Sequence, residues 1–322
     1  MITDKKISAV IACYMDGQSI PVMYQRLTAV FRQVTPYYEI IFVNDGSLDD
    51  SEEILTALAS KDKRVVAVNH ARNFSSQNAF LSGMHVATGD AVVLLDGDLQ
   101  DPPEMIPDFV RKWLEGYDVV YGVRSKREAS LFLRASYKLF YRIFQKLSYV
   151  PVPLDAGDFS LLDRKIVNVL DAMPERDIFL RGLRAWVGFK QVGVSYVRPE
   201  RMFGRSNNNL IKNFRWARKG IFSFSYAPLE WVSYVAGIVT VLAALTIVVY
   251  VALFFIYGAP QGFITTLVIT LFLGTIQLLA LSVIGEYVAK IFEEVKSRPK
   301  YIVKSIFNDP RNKPRDPGLP ES

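Results

Sequence analysis

Between positions 231 and 285 the chain carries no Asp, Glu, Lys or Arg. Soluble cores seldom tolerate so long an uncharged run, whereas a bilayer calls for it: roughly 20 apolar residues cross the hydrocarbon as one helix. The run has room for two. Gly and Pro punctuate it at Tyr257-Gly258-Ala259-Pro260-Gln261-Gly262, which predicts a tight connection between helices at 232–256 and 263–285. Half of the 322 residues are hydrophobic and 22% are charged. That composition suits one α/β domain carrying a membrane part.

The flanks orient this hairpin. Lys212, Arg215, Arg218 and Lys219 precede it, Lys290, Lys296, Arg298, Lys300 and Lys304 follow it, and the connecting loop is uncharged. The positive-inside bias then puts both ends in the cytoplasm. Residues 1–6 are charged and lack the apolar core of a signal peptide, so the N-terminus is expected there too. The expectation is an integral protein of the cytoplasmic (inner) membrane with both termini inside. The net charge of +6 falls largely on these flanks, which points to membrane lipids and not nucleic acid as partners. In 131–149, Arg134, Lys138, Arg142 and Lys146 recur every four residues, one stripe of a helix suited to the headgroup layer or to packing on its own domain. Residues 207–224 are similar in character.

Cys13 is the only cysteine, and His70 and His85 are the only histidines. An intrachain disulfide and a cysteine-based zinc site are excluded and a His-rich metal site is disfavoured, so a metal would be held by carboxylates, which favours Mg²⁺ or Mn²⁺.

Short β-branched runs at 7–14, 39–44, 65–69, 91–95 and 118–123 alternate with helical patterns at 21–34, 51–59, 77–88 and 103–114. This predicts a Rossmann-like α/β domain whose mostly parallel sheet is covered on both faces. Ligands of such sheets sit beyond the carboxyl ends of the strands. Polar and acidic residues recur there: Tyr14 and Asp16, Asp45, His70 and Arg72, Asp96, Asp98 and Gln100, then Arg124. Neither G-x-G-x-x-G nor G-x-x-x-x-G-K-[ST] is present where it would be needed, which disfavours a dinucleotide dehydrogenase and a P-loop NTPase.

Asp96 and Asp98 flank Gly97 directly after an apolar strand. Two carboxylates held together repel unless a cation or a proton lies between them. A divalent metal bridging to a diphosphate meets that need and neutralises charge on a departing nucleotide. Gln100 offers a further neutral oxygen. The bland reading is that the aspartates cap the turn or the helix starting near Pro103. Asp45, ending Val43-Asn44-Asp45-Gly46-Ser47, can accept hydrogen bonds from a nucleobase or ribose, or form an Asx-type turn.

These residues together resemble the family-2 inverting glycosyltransferases of the GT-A fold. The likeness runs through 11–16, Val43-Asn44-Asp45-Gly46-Ser47, Arg72-Asn73 and Leu94-Leu95-Asp96-Gly97-Asp98-Leu99-Gln100-Asp101-Pro102-Pro103-Glu104. Within the family the chain looks most like the polyprenyl-phosphate glycosyltransferases, such as dolichol-phosphate mannose synthases and bactoprenol glucosyltransferases. That likeness continues through Gly122-Val123-Arg124, Asp155-Ala156-Gly157-Asp158-Phe159, Glu200-Arg201-Met202-Phe203-Gly204-Arg205-Ser206 and the twin-helix tail. It implies a metal-dependent enzyme that moves one sugar, glucose from UDP-glucose, onto a polyprenyl phosphate such as undecaprenyl phosphate. It also implies roles. Tyr14, Asp16, Asp45, Arg72 and Asp96 would meet the nucleotide-sugar; Asp96, Asp98 and Gln100 would hold Mg²⁺ or Mn²⁺. Arg124, Arg134, Arg201 and Arg205 would gather the acceptor phosphate. Asp98, Asp158 and Arg124 would be catalytic, with Asp158 beside the reacting sugar or in a structural hydrogen bond.

Four positions depart from the family's pattern: Ala12 for Pro, Met15 for Asn, Asp16 for Glu and Asn207 for Lys. The implied organisation is a catalytic domain at 1–206, a juxtamembrane segment at 207–230, two transmembrane helices within 231–287 and a basic tail at 288–322. GDP-mannose remains an alternative sugar donor. A processive polysaccharide synthase is a second reading, disfavoured because Lys212-Asn213-Phe214-Arg215-Trp216 has Lys where Gln belongs. A membrane-tethered nucleotide-sugar sensor is a third. A homo-oligomer is compatible with the sequence.

Overall fold

The computed structural model describes residues 1–124, 150, 153, 156–176, 178–200, 202–203, 225, 227–258 and 262–312. Its centre is an eight-stranded sheet: β1 (Ile7–Cys13), β2 (Tyr38–Asn44), β3 (Val65–His70), β4 (Ala91–Asp96), β5 (Val119–Arg124), β6 (Ala156–Asp163), β7 (Gln191–Tyr196) and β8 (Val303–Phe307), in the spatial order β7-β5-β6-β4-β1-β2-β3-β8. The first four strands pair in parallel around β1. Their residues are buried almost without exception, as expected of strands covered on both sides.

The period of two along each strand sorts side chains between two cores. Ile7, Ala9 and Ile11 of β1 face one cluster with Ile40 and Phe42 of β2, whereas Val10 and Ala12 face the other with Ile41 and Val43. Helix α1 (Ser19–Val34) closes the first face with Ile20, Met23, Leu27, Phe31 and Val34, a stripe at helical spacing. Helices α2 (Ser51–Lys61) and α4 (Ile106–Leu114) join it there. On the second face lie α3 (Ser76–Val86), α5 (Arg164–Ala172) and α6 (Leu180–Trp186). Each large apolar side chain buried this way contributes roughly 1.5–3 kcal/mol.

The sheet is more mixed than the sequence pattern suggests. β6 lies between β4 and β5 and runs antiparallel to both, and β8 runs antiparallel to β3. A fully buried strand reads as a continuous apolar run in either direction, so composition does not reveal this insertion. β8 is the larger surprise. It belongs to the stretch after the apolar hairpin, which the sequence reads only as a basic tail.

Helices α7 (Ala227–Tyr257) and α8 (Phe263–Val295) carry the apolar run. Ala227–Ile256 and Val268–Val295 are long and apolar enough to cross a membrane, with mean hydropathy of 2.8 and 2.2 in their most apolar windows, none of which is buried within the protein. α8 continues past Gly285 to Val295. Its 33 residues span about 50 Å at about 1.5 Å per residue, against a hydrocarbon thickness of about 30 Å. The extra turns reach the α/β domain, where Glu294 Oε1 accepts from the Arg176 amide at 2.8 Å; Tyr287 donates to the carbonyl of Ser225, just before α7, at 2.8 Å, and beyond the helix Lys300 Nζ donates to the Met173 carbonyl.

Candidate active site

A pocket of about 790 Å³ opens beyond the carboxyl ends of β1, β2 and β4. Tyr14, Asp16, Asp45, Asp96 and Asp98 come together on its wall, joined by Asp49, Asp50 and Asn73. Among the described residues, its lining contains six aspartates and no Lys or Arg. Such a wall repels a bare diphosphate and attracts a cation, or a diphosphate that arrives with one.

Local geometry explains the residue types. Gly97 must be glycine, because a Cβ there would lie 2.9 Å from the Ala12 carbonyl oxygen and 3.0 Å from both Asp16 Oδ2 and Cys13 Sγ. Its neighbours Asp96 and Asp98 are thereby drawn against the β1 loop. Leu99 then takes a left-handed φ of 63°, a strain of about 1–3 kcal/mol for a non-glycine residue. Burial of its side chain, 2% exposed, holds it there. Asp98 Oδ1 accepts from the Gln100 amide at 3.1 Å, which fixes the turn. Asp16 braces the first loop: Oδ2 accepts from the Tyr14 amide at 3.0 Å, and its carbonyl takes the Ser19 and Ile20 amides at the start of α1. Met15 has φ of 58°, a region that Asn enters readily and Met does not.

Asp45 is buried. Its Oδ1 accepts from the Phe74 amide at 2.8 Å and lies 2.8 Å from His70 Nδ1, while Oδ2 has no hydrogen-bond partner among the described residues. Gly46, at φ of 66°, lets the following turn pass the backbone of Arg72, which a Cβ would approach to 2.4 Å.

Electrostatics divide the acids. The Asp96 side chain is 30% exposed, yet the protein around it pushes its carboxyl well above the usual range. Desolvation is the main cause, followed by the charges of Asp101, Asp158 and Asp98, against which Arg198 acts. Arg198 Nη2 lies 3.7 Å from Asp96. Asp101 is also raised by burial, although Tyr196 donates to it at 3.0 Å. Asp158 behaves in the opposite way. Burial raises it, but Arg181 binds it bidentately at 3.0 and 3.1 Å and Gln77 donates at 3.0 Å; with Arg184 nearby, the net shift is downward.

The remaining expected site residues stand outside the pocket lining. Gln100 donates its amide to the Pro199 carbonyl at 3.2 Å, because the Leu99 turn swings it toward the segment after β7. Arg72 is exposed and stacks on Phe74 at 4.1 Å. Arg124 ends β5 beside Gly157, with Nε buried and without a hydrogen-bond partner among the described residues. Asp158, held by two arginine N–H groups and kept ionised, is poorly suited to accept a proton. Arg134, Arg201 and Arg205, and the amphipathic stretches 131–149 and 207–224, lie outside the described residues. Sequence reading passed over Asp49, Asp101, Arg181 and Arg198. Only Asp101 carried a signal, its place in the Asp96–Asp101 turn.

Among the described residues no three His, Cys, Asp or Glu side chains form a ready metal cage. That is compatible with Mg²⁺ or Mn²⁺ sites in which one or two carboxylates act together with substrate phosphates and water. The donor set fits: hard oxygens, an excess of negative charge, and a pair of aspartates on one tight turn.

The sequence profile described as "Glycosyl transferase family 2" matches residues 8–170. The chain belongs to this family. It is 42% identical to "Uncharacterized glycosyltransferase YkcC" of Bacillus subtilis (strain 168), over 93% of this chain and 94% of that one. It is 40% identical to "Bactoprenol glucosyl transferase" of Shigella phage SfII, over 93% and 97%. A third relative, "Prophage bactoprenol glucosyl transferase homolog" of Escherichia coli (strain K12), is 39% identical over 94% and 99%. Among solved structures, glucosyl-3-phosphoglycerate synthase from Mycobacterium tuberculosis with Mn²⁺ and UDP-glucose matches at a TM-score of 0.44 and 22% identity, over 68% of this chain and 77% of that one. So loose a likeness supports nothing further. As a family-2 glycosyltransferase the protein is an enzyme, and its GT-A-like sheet puts the acidic pocket at the rim where such folds take ligands.

Proposed function

We propose that this family-2 glycosyltransferase moves glucose from UDP-glucose to the phosphate of a polyprenyl phosphate, such as undecaprenyl phosphate, at the cytoplasmic face of the inner membrane. The observation that carries the reading is the union, in one chain, of an aspartate-lined rim pocket and two helices apolar enough to cross a bilayer. The bactoprenol glucosyl transferases aligned over nearly the full length add the acceptor and the sugar.

Asp45 and Asp16 would receive the nucleoside; Asp45 lines the pocket, and its Oδ2 has no hydrogen-bond partner among the described residues. Asp96 and Asp98 would hold Mg²⁺ or Mn²⁺, which supplies charge stabilisation for the departing diphosphate. A lipid phosphate carries about −1.5 to −2 charges near pH 7 and is itself a nucleophile. One of its oxygens attacks the anomeric carbon as the bond to the UDP oxygen breaks, and the configuration inverts. Little proton transfer is needed, in keeping with an Asp158 that is ionised and locked to Arg181. Its part is to fix Gln77 and α6 beside the site. Arg124, with Arg134, Arg201 and Arg205, would gather the acceptor phosphate by charge-assisted hydrogen bonds.

The test is transfer of labelled sugar from UDP-glucose to undecaprenyl phosphate by purified protein in lipid nanodiscs with Mg²⁺ or Mn²⁺. A single-sugar lipid product is expected, and Asp98→Ala should lower turnover by at least about a hundredfold. Near-normal turnover by that variant, or a polymer product, would refute the assignment.

A further inference from the structure

The strand after the membrane hairpin reaches the pocket from behind. β8 pairs with β3 on the sheet edge, with Ala67 opposite Phe307 and His70 opposite Val303, and the Ala71 amide donates to the Ile302 carbonyl at 2.9 Å. Lys304 binds Glu52 at 2.9 Å, and Asn308 donates to the carbonyls of Ala59 and Val65. Just before the strand, Tyr301 stacks on His70 with ring centroids 5.4 Å apart and planes 8° from parallel.

His70 in turn holds Asp45. Its side chain is fully buried, and Nδ1 lies 2.8 Å from Asp45 Oδ1. Its other nitrogen, Nε2, has no hydrogen-bond partner among the described residues. One hydrogen bond alone leaves a ring free to rock about it, so packing must supply the second restraint, and Tyr301 covers one face. With Nδ1 of His70 as donor, both donors to Asp45 among the described residues act on Oδ1, and Oδ2, buried at the wall of the pocket that Asp45 lines, is left without a partner among them. A second route runs from the same strand: Asn69 donates to Ser305 Oγ at 3.1 Å, Asn44 donates to Asn69 at 3.0 Å, and Asn44 Oδ1 takes the Ser47 amide in the pocket loop.

We propose that Tyr301 is a positioning residue for the nucleotide: stacked on His70, it sets the orientation of Asp45, so that the strand following the membrane helices is part of the sugar-donor site. This rests on the reading of Asp45 as the nucleoside's partner. The juxtaposition gives the segment after α8 two tasks, closing the sheet edge left bare by β3 and bracing the pocket. It also makes nucleotide affinity depend on a segment that continues directly from α8, with Glu294 and Lys300 anchoring that exit to Arg176 and Met173 of the α/β domain.

The experiment is calorimetric titration of the full-length protein in detergent with UDP and Mg²⁺, run on wild type, Tyr301→Phe, Tyr301→Leu and Asp45→Asn. Steady-state transfer and thermal melting are measured on the same preparations. Tyr301→Phe keeps the ring and should bind UDP as wild type does. Tyr301→Leu keeps apolar bulk without the stack and should weaken UDP roughly fivefold, seen as a raised KM with kcat little changed. Asp45→Asn should weaken UDP more. If Asp45→Asn loses affinity while Tyr301→Leu binds normally, the proposal is overturned and the donor-site reading survives. If neither variant changes affinity, both are overturned. A Tyr301→Leu protein that melts as wild type does but binds UDP weakly supports the proposal. If Tyr301→Leu fails to fold, Tyr301→Phe and Tyr301→Trp decide, since UDP affinity lost in either aromatic variant contradicts a role resting on the stack.

Discussion

The two halves of the sheet rim handle negative charge in opposite ways. Around β1, β2 and β4 the pocket gathers Asp16, Asp45, Asp49, Asp50, Asp96 and Asp98 with no cation among its described lining. Around β5, β6 and β7 the carboxylates come with their own arginines: Asp158 with Arg181 and Arg184, Asp101 with Arg124 and Arg198. The result shows in two neighbouring acids. Asp96 is pushed up by burial and by other carboxylates, whereas Asp158, more buried, is drawn down by Arg181. Burial alone does not decide the charge state: bidentate Arg181 outweighs it at Asp158, whereas at Asp96 and Asp101 burial outweighs the arginines nearby. The half around β6 brings its own counter-cations, whereas the described lining of the acidic pocket contains no Lys or Arg.

The sharpest break of this contrast compares two isosteric changes by thermal melting in chelator. Asp158→Asn removes the charge that Arg181 binds bidentately and that the buried Arg184 faces. A fully buried pair broken on one side costs about 3–5 kcal/mol. Arg181 is 25% exposed, so about 2–3 kcal/mol is expected. Because the folded-state pKa of Asp158 is lowered, its contribution is present above the unfolded value near about 4 and disappears as pH falls through the folded value. The Asp158→Asn deficit should therefore shrink in acid. Asp96→Asn should do the reverse at neutral pH and raise the melting temperature of metal-free protein; a fall like that of Asp158→Asn would erase the distinction between the two halves.

Gly97→Ala comes next in size. Its Cβ would press on the Ala12 carbonyl and Asp16 Oδ2, a small overpacking of about 1–3 kcal/mol. Because the strain falls on a loop that lines the acidic pocket, UDP affinity should drop along with the melting temperature, whereas a drop in stability alone would detach Gly97 from the pocket. Smallest is Met15→Asn. It relieves a left-handed backbone angle and should stabilise by roughly 0.5–1 kcal/mol. The Met15 amide keeps its bond to Ser47 Oγ. A loss of stability in urea or thermal unfolding would show that the Met15 side chain, and not its backbone, governs the loop.

Much of the acidic half was legible in the sequence because its signals are local. Parallel buried strands are unbroken apolar runs, and polar and acidic residues follow them at once, so Tyr14, Asp16, Asp45, Asp96 and Asp98 fall where strand ends put them. The other half was not legible for the same reason. β6 looks like any buried strand, and nothing local tells that it inserts antiparallel between β4 and β5. Arg181 reaches Asp158 from α6, and Arg198 reaches Asp96 from the segment after β7. Such partners are set by topology, not by spacing. β8 was hidden further still: a run of five residues with Lys304 in second place resembles a basic tail until the open edge of β3 gives it a partner.

The central claim is that the donor half of the rim binds its ligand only together with a divalent cation. Titration of UDP into purified protein, in chelator and then in Mg²⁺ or Mn²⁺, tests it directly. Binding should be absent or at least about tenfold weaker in chelator, should recover with either metal, and should fail to recover in Asp98→Ala. Equal affinity for UDP with and without the cation would contradict the account.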